Sequence, residues 1–188
     1  MQKYLFIDRD GTLIESPPSP LQIDSIEKLR FYPQVITWLA KIATKLNFKL
    51  VMVTNQNGLG TISYPINTFL PAHNFMLDVF KNECIEFYEI IIDDSLPEEN
   101  SAKRKPRIGR MTHYLNNPAI DIKNSFVIGD RITDVQFAKN LGCKAININA
   151  ENIRGQKEIT DTIDELRTNW TALETTSWKE IYEFLKVQ

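Results

Sequence analysis

Two acidic residues near the N-terminus are of a type and spacing that could take part in catalysis. Asp8 and Asp10 follow a short apolar run and directly precede Gly11. A turn that begins at Gly11 lets both carboxylates approach one site, because glycine accepts backbone conformations that other residues avoid. Taken alone, an Asp-x-Asp pair before a glycine can equally be a turn motif without a chemical role.

A hydroxyl and an amide side chain end a second apolar run. Thr54 and Asn55 follow residues 49–53 and precede Gly58. A hydroxyl together with backbone N–H groups at a strand-to-helix junction can hold phosphate oxygens. This pair therefore indicates a phosphate site, with ordinary polar turn chemistry as the alternative.

A lysine stands in an irregular, highly charged stretch at 96–106. Lys105 is the last of three consecutive basic residues and precedes Pro106. A lysine is a compact point charge that can neutralise both a phosphate and the group that attacks it. The alternative is a solvated basic loop, which is the commoner fate of such runs.

A second acidic pair follows a later apolar run. Asp130 and Asp134 lie in the segment 128–134, directly after a glycine. Carboxylates at the end of a buried strand suit Mg²⁺, which prefers a few carboxylates together with water and substrate phosphate. Asp134 can instead be a first-turn helix residue that the helix dipole favours.

The elements that must position these residues alternate along the chain. Continuous apolar runs at 3–8, 49–54, 88–93, 125–130 and 144–148 indicate strands that are buried on both faces. Between them, Pro33 suits the first position of a helix whose apolar face is Val35, Leu39, Ile42 and Leu46, and Gly142 suits a helix end. The pattern predicts an α/β fold: a doubly wound, Rossmann-like, mainly parallel five-stranded sheet with helices on both faces and no large cap domain.

The length of 188 residues favours one domain over residues 1–188, with a core at about 2–148 and a C-terminal helical extension at 150–188. In that extension, Ile159, Ile163 and Leu166 share one helix face. A capping box from Ser177 to Glu180 opens a second helix. Its apolar face contains Trp178, Ile181, Tyr182 and Leu185, and we expect Trp170 and Trp178 to be core aromatics. The proline-rich loop at 16–20 is predicted to run over the surface.

Composition narrows the classes of partner. The net charge of -2 gives no general attraction to nucleic acid or to an anionic membrane. No apolar run approaches the ~18 residues that span a bilayer, and no signal peptide is recognisable. Two cysteines are too few for a disulfide framework. We therefore expect a cytoplasmic protein that acts on a small-molecule phosphate ester, and its oligomeric state stays open.

Taken together, the four segments resemble the four signature motifs of the haloacid dehalogenase superfamily. The resemblance implies that Asp8 is a nucleophile that forms an aspartyl-phosphate and that Asp10 is the general acid/base. It further implies that Thr54, Asn55 and Lys105 bind the phosphoryl oxygens.

The same resemblance implies that Mg²⁺ is the cofactor. Its ligands would be Asp8, the backbone carbonyl of Asp10 and Asp130, with Asp134 close by or acting through water. An anionic nucleophile that meets an anionic phosphate needs positive charge between them, which is consistent with this assignment.

Within the superfamily, the segments 6–14, 17–18, 54–61, 71–74 and 129–134 are similar to histidinol-phosphate phosphatases. The similarity is closest to the phosphatase half of the bifunctional histidine-biosynthesis enzyme, and it implies hydrolysis of L-histidinol phosphate. These relatives carry a Cys/His zinc loop before the motif-three lysine. The corresponding positions here are Asp93, Ser95, Ser101 and Lys103. Serine and lysine are poor zinc ligands, so no structural zinc is expected.

Two residues are candidates for substrate specificity. Glu15 lies just beyond the nucleophile and can meet an ammonium or imidazole group, although a solvated glutamate is the commoner case. His73 lies in a family-like segment, but for both His73 and His113 a surface or core role is the ordinary alternative.

Three competing functions remain at this point. The first is a phosphatase for a sugar bisphosphate of the heptose-bisphosphate kind. The second is a non-catalytic binding protein on the same fold, against which the complete set of motif residues argues. A nucleic-acid 3′-phosphatase is disfavoured by the acidic balance.

Overall fold

The computed structural model describes residues 1–16, 22–149, 151 and 155–188. In these residues, six parallel strands form one sheet in the order β3-β2-β1-β4-β5-β6. Their bounds are β1 Lys3–Ile7, β2 Phe48–Asn55, β3 Phe87–Asp93, β4 Phe126–Gly129, β5 Lys144–Asn147 and β6 Thr171–Glu174. Most of the predicted loop at 16–20 lies outside the described residues.

The predicted fold class is confirmed, and the predicted strand count was wrong by one. The five predicted strands all form, and β6 adds a sixth within the segment that was expected to be only helical. β6 has four residues, only half-buries alternate side chains and pairs with β5 at the edge of the sheet. So short an edge strand carries too little apolar pattern to be recognised from sequence.

Helices cover both faces of the sheet, because each apolar helix face must be buried. Their bounds are α1 Val35–Lys45, α2 Ile66–Asn82, α3 Thr112–Leu115, α4 Ile132–Leu141, α5 Ile163–Trp170 and α6 Trp178–Leu185. Buried residues of α1, α2 and α6 share one core cluster, and those of α3, α4 and α5 share the other. In the described ranges, no helix is long and apolar enough to cross a membrane.

One predicted helix start differs from the structure, whereas α6 follows Ser177 and α4 ends at Gly142 as predicted. α1 begins at Val35, not at Pro33, because Gln34 adopts a left-handed conformation with φ 60°. The capping box was wrong, since the Glu180 carboxylate accepts a hydrogen bond from Thr175 and the Ser177 side chain caps nothing. Gly142, with φ 86°, ends α4 as predicted.

The C-terminal segment completes the core. Trp178 is fully buried, and its indole N–H donates to the backbone carbonyl of Thr12 at 3.0 Å. This contact ties α6 to the turn that follows β1. Trp170 is half-buried against the other core cluster.

Candidate active site

The order in which the chain adds strands to the sheet reverses between β1 and β4, and the candidate residues lie at that point. The chain runs from β1 through β2 to β3 on one side, and from β4 through β5 to β6 on the other. Asp8 directly follows β1 and Asp130 directly follows β4, and the Asp8 N–H donates to the Ile128 carbonyl at 2.9 Å. In open α/β sheets, ligands bind outside the carboxyl ends of the strands at such a switch point.

Three buried carboxylates meet there. Ligand oxygens of Asp8, Asp130 and Asp134 all lie within 4.8 Å of one another, and the three residues are 6%, 2% and 2% exposed. Two glycines leave room for them. A Cβ atom on Gly11 would lie 2.2 Å from Oδ2 of Asp130, and one on Gly129 would lie 2.2 Å from Cγ of Asp134. We call Asp8, Asp130 and Asp134 the strand-tip cluster.

Lys105 joins two members of the strand-tip cluster. Its Nζ lies 2.9 Å from Oδ1 of Asp8 and 2.8 Å from Oδ1 of Asp134. Burial alone would lower the pKa of Lys105, but the carboxylates of Asp134 and Asp8 raise it above its ordinary value. The lysine therefore stays charged inside the site.

Asp134 serves both the helix and the cluster. Its Oδ2 accepts from the backbone N–H of Arg131 at 3.2 Å, which is a helix N-terminal contact, while its Oδ1 contacts Lys105. Burial, together with repulsion from Asp8, raises the pKa of Asp134 against the opposing effect of Lys105. The two interpretations that the sequence left open are thus compatible.

The donor set of the cluster fits a hard divalent cation. Three carboxylates concentrate negative charge in a buried space, and oxygen ligands of this kind suit Mg²⁺. Lys105 and Arg131 offset only part of that charge, and Arg131 Nε lies 3.9 Å from Oδ1 of Asp130. That the backbone carbonyl of Asp10 is also a ligand of Mg²⁺ stays a prediction.

Asp10 lies beside the cluster and is held by two neighbours. Arg9 Nη1 donates to Oδ1 of Asp10 at 3.1 Å, and the Gln56 amide donates to Oδ2. Asp10 lines the same small cavity as Asp8, Thr54 and Lys105. The structure therefore brings the predicted acid/base next to the predicted nucleophile.

Thr54 and Asn55 reach the site in different ways. The hydroxyl oxygen of Thr54 accepts from the Gln56 amide at 2.9 Å. The Asn55 side chain donates to the backbone carbonyl of Lys105 at 2.9 Å and accepts from its backbone N–H at 3.2 Å. Asn55 thus fixes the backbone of Lys105 with its side chain, and its own part as a phosphate ligand stays a prediction.

The loop that carries Lys105 is organised by Arg104. We call residues 95–105 the lysine loop. The Arg104 guanidinium is 2% exposed and pairs with both carboxylate oxygens of Glu158 at 2.8 and 3.2 Å. It also donates to Oδ1 of Asn57 at 2.8 Å and to the carbonyl of Ser95 at 3.0 Å. One side chain therefore ties the lysine loop to the segment after β2 and to the C-terminal part of the chain.

The positions that correspond to the zinc ligands of the relatives form polar contacts here. The Asp93 carboxylate accepts from both the backbone N–H and the hydroxyl of Ser95 and lies 3.5 Å from Arg110 Nε. In the described residues, the strand-tip cluster is the group of three or more possible metal ligands that lies close together. That no zinc binds here stays a prediction.

A larger cavity adjoins the cluster. It has a volume of about 460 Å³. Its lining is acidic and polar and consists of Gly11, Glu15, Ser16, Tyr32, Asp130, Asn149 and Glu151. Burial and then the carboxylates of Asp130 and Glu15 raise the pKa of Tyr32, which reflects the negative potential of this cavity. Glu15 therefore lines a cavity that adjoins the cluster, and its role in substrate specificity stays a prediction.

His73, the other specificity candidate, lies elsewhere. It is 4% exposed within α2 and stacks on Phe69 with ring centroids 4.7 Å apart. Burial and the nearby Arg9 lower its pKa to about 4. The structure does not bring His73 to the lining of either cavity as described, and its position matches the core alternative.

Four residues of the site were not singled out from the sequence. They lie between or beside the candidate residues of the four motifs, and the sequence analysis gave them no role: Arg9, Gln56, Arg104 and Arg131. Arginine inside a strand-end motif is a usable signal, since a buried guanidinium requires acceptors nearby. Glu158, the partner of Arg104, gave no such signal because it is 54 residues away in the chain.

Comparison with known proteins agrees with this geometry. Residues 103–165 match the HAD-hydrolase-like family model. The Histidine biosynthesis bifunctional protein HisB of Bacteroides fragilis is 52% identical over 186 residues, which covers 98% of this chain and 47% of that protein. The protein of the same name from Spirosoma linguale is 48% identical over 189 residues and covers 100% of this chain and 49% of its own length. The chain thus spans about half the length of these relatives.

Solved structures show the same fold at lower identity. A D,D-heptose 1,7-bisphosphate phosphatase from B. bronchiseptica, complexed with magnesium and phosphate, has a TM-score of 0.77 at 20% identity and covers 100% of this chain and 99% of its own. A putative HAD-like phosphatase from Mesorhizobium loti has a TM-score of 0.73 at 20% identity, with 98% and 85% covered. At these identities the likeness concerns the fold.

The family-model match over residues 103–165 and the relatives at 52% and 48% identity together identify the chain as haloacid dehalogenase-like. Over almost its whole length, it is similar to about half of each of the two histidine biosynthesis bifunctional proteins. The resemblance read from the four motifs is thereby confirmed.

Proposed function

We propose that this chain is a Mg²⁺-dependent phosphomonoester hydrolase that acts through an aspartyl-phosphate on Asp8 and that its substrate is L-histidinol phosphate. One observation carries the proposal. The Lys105 ammonium lies 2.9 Å from Asp8, inside a space where Asp130 and Asp134 supply two further carboxylates. A nucleophile, a cation for the phosphoryl oxygens and a metal donor set are thus within one site.

The chemistry of the chain's own residues follows from their positions. A carboxylate oxygen of Asp8 attacks phosphorus, the ester P–O bond breaks, and its electron pair moves to the leaving oxygen, which takes a proton from Asp10. Asp10 then accepts a proton from the water that attacks the phosphorus of the aspartyl-phosphate. This second step releases phosphate and restores Asp8.

Positive charge and hydrogen-bond donors must stabilise the phosphoryl oxygens in both steps. Lys105 supplies a charge that its pKa shift keeps in place. The hydroxyl oxygen of Thr54 accepts from Gln56, so its hydrogen can be donated to a phosphoryl oxygen. Asn55 contributes its backbone N–H and holds the Lys105 backbone with its side chain.

Asp8, Asp130 and the backbone carbonyl of Asp10 would hold the Mg²⁺ ion, with Asp134 beside it. When bound, the ion supplies charge that offsets the repulsion between the anionic nucleophile and the anionic phosphate. Asp134 also holds Lys105 at 2.8 Å, so it orients the lysine whether or not it contacts the ion.

The substrate assignment is supported by the relatives and by the adjoining cavity. The relatives at 52% and 48% identity are named for histidine biosynthesis. L-Histidinol phosphate carries an ammonium and an imidazole, and the cavity beside the cluster is lined by Glu15, Asp130 and Glu151. A cationic group is favoured there, whereas the second phosphate of a sugar bisphosphate would be repelled by that charge.

A substrate panel tests this proposal. Phosphate release is measured with histidinol phosphate, a heptose bisphosphate and p-nitrophenyl phosphate, each with Mg²⁺ and with EDTA. We expect Mg²⁺-dependent turnover of all three, with kcat/KM for histidinol phosphate at least about 100-fold above that for the sugar. Faster hydrolysis of the sugar would overturn the substrate assignment, and no turnover of any ester would overturn the enzyme assignment.

Glu15 offers a sharper test of the cavity. Replacement by glutamine keeps the size and removes the charge. We expect kcat/KM for histidinol phosphate to fall about 10-fold, as for loss of one charge-assisted contact. The value for p-nitrophenyl phosphate, which has no cationic group, should not change. Equal losses for both esters would contradict the role of Glu15 in specificity.

A further inference from the structure

A buried polar network of Arg9, Gln56 and Thr54 surrounds Asp10. Arg9 is fully buried, and its guanidinium lies 5.0 Å from the Phe69 ring. Its Nη1 donates to Oδ1 and Oδ2 of Asp10 at 3.1 and 3.3 Å and to Oε1 of Gln56 at 3.4 Å. Within the described chain, its Nε and Nη2 are buried without a hydrogen-bond partner.

That arrangement is costly for a merely structural ion pair. A guanidinium taken out of water with two of its nitrogens unsatisfied loses hydration that one carboxylate does not fully replace. Apolar side chains of similar volume would fill the same space without this cost. Among the described residues, the hydrogen bonds that its guanidinium donates go to Asp10 and Gln56, which indicates that holding those groups is its role.

Gln56 uses all of its hydrogen-bonding capacity in the same network. An amide side chain has two donor hydrogens and two acceptor lone pairs. Its Nε2 donates to Oδ2 of Asp10 and to the hydroxyl oxygen of Thr54, and its Oε1 accepts from Arg9 and from the Tyr64 hydroxyl. Only one orientation of the amide satisfies these partners. Its backbone N–H is anchored on the Asp93 carbonyl at 2.7 Å.

We infer that Arg9 and Gln56 are positioning residues that fix the carboxyl group of Asp10 for proton transfer to the leaving oxygen. A carboxylate offers about four acceptor positions. The bonds from Arg9 and Gln56 occupy three of them, one on Oδ1 and two on Oδ2. The fourth position, on Oδ1, carries the proton. Because the other three positions are fixed, this proton is directed towards the leaving oxygen.

This inference rests on the proposed function, because it assigns a geometry to the proton transfer described there. In that step the Asp8–phosphorus bond forms, the phosphorus–oxygen ester bond breaks, and the leaving oxygen takes the electron pair and the Asp10 proton. A misplaced Asp10 therefore slows the departure of an alkoxide, which is a strong base. It slows the departure of p-nitrophenolate much less, since that anion leaves without a proton.

The dependence on the leaving group separates positioning from general damage. We would measure kcat/KM, which reports the steps up to departure of the leaving group, for histidinol phosphate and p-nitrophenyl phosphate. In Gln56→Met the value for the alkyl ester should fall about 10- to 100-fold, and that for the aryl ester less than about 3-fold. Asp10→Asn should show the same selectivity with a larger loss.

Gln136→Met is the matched control. Gln136 is fully buried and likewise fully bonded, but its partners are Asn140, Thr160 and Asp161. This variant should lower both kcat/KM values equally or not at all. Gln56→Glu is a second test that preserves shape and the acceptors for Arg9 and Tyr64 while removing both donors, so it should reproduce the selective loss even if Gln56→Met does not fold.

The outcomes distinguish a failure of the positioning role from a failure of the proposed phosphatase function. Equal losses for both esters in the two Gln56 variants, or no loss, would overturn the inference and leave the phosphatase proposal standing. If the wild-type chain hydrolyses neither ester, the proposed function fails, and the inference fails with it.

Discussion

The strand-tip cluster and the lysine loop bring opposite charges to one site by different means. Asp8 and Asp130 extend two hydrogen-bonded neighbouring strands, so the register of the sheet sets their separation. Lys105 comes from an irregular loop that Arg104 and Asn55 hold through side-chain bonds. The carboxylates therefore depend on the core of the fold, and the lysine depends on a few contacts that single substitutions can remove.

The difference predicts where each region is vulnerable. Substitutions in the strand-tip cluster should remove chemistry and leave the fold intact, because these side chains lie beyond the carboxyl ends of the strands and outside the two core clusters. Substitutions in the network of the lysine loop should lower stability and activity together.

The largest effect is expected at the nucleophile. Asp8→Asn should lower kcat by on the order of 10⁴-fold or more, because the amide cannot attack phosphorus. Thermal unfolding should show a folded protein, since the substitution also relieves repulsion among buried carboxylates. Asp164→Asn, at an exposed position of α5, is the control and should retain full activity. An active Asp8→Asn enzyme would contradict the mechanism.

The second effect concerns the lysine. Lys105→Met should lower kcat/KM by about 10²- to 10³-fold, because one stabilising charge is lost in a water-poor site. Lys103→Met is the matched control, since Lys103 is exposed in the same loop. Phosphate release from p-nitrophenyl phosphate measures both. Equal activities would show that the contact between Lys105 and Asp8 has no part in turnover.

The third effect tests how the lysine loop is held. Arg104→Met should lower the free energy of unfolding by about 2–4 kcal/mol, as expected when a mostly buried ion pair loses one partner. Its kcat should also fall, because Lys105 is the next residue. Arg107→Met removes an arginine whose described side-chain hydrogen bonds go to Ser101 and Asn100 of the lysine loop, and it should cost less than about 1 kcal/mol. Urea unfolding of both variants measures the difference. Similar costs would mean that Arg104 does not organise the loop.

Much of the site was predictable because its residues stand in short segments. Three of the four motifs end strands and contain Asp8, Thr54 and Asp130, which the parallel strands bring to the carboxyl ends of the sheet. The fourth motif contains Lys105 in the loop that follows β3. What sequence reasoning missed depends on contacts between distant positions. The bond between Arg104 and Glu158 spans 54 residues, and Gln56 reaches Asp10 across 46.

Local pattern also failed where the element was small or a competing partner was closer. β6 has only four residues, so its strand pattern was too short to recognise. The Glu180 carboxylate accepts a hydrogen bond from Thr175, whereas a capping box requires it to accept from the backbone N–H of Ser177. The acidic cavity combines Glu15 with Glu151, and no spacing rule connects two residues so far apart.

His73 lies outside both regions and is expected to affect only the pH dependence of stability. Its pKa of about 4 in the folded chain is below the ordinary 6.5. The unfolded chain therefore binds a proton first, and stability falls as pH decreases from 6.5 to about 4, by on the order of 3 kcal/mol.

His73→Phe keeps the stacking on Phe69 and removes the titration. The difference in unfolding free energy between wild type and variant should shift in favour of the variant as pH falls through this window. Urea unfolding at about pH 7.5, 6, 5 and 4 measures this difference in free energy, since these values cover the range between the two pKa values of His73. A difference that is independent of pH would place His73 in contact with solvent.

Binding of Mg²⁺ to the strand-tip cluster tests the central claim most directly. Isothermal titration of the wild-type chain and of Asp130→Asn with MgCl₂ and inorganic phosphate measures the number of ions and their affinity. We predict one ion per wild-type chain and a loss of at least about 10-fold in affinity for the variant. Equal affinity in the two proteins would contradict the assignment of Asp130, and with it the shared ion on which the proposed reaction depends.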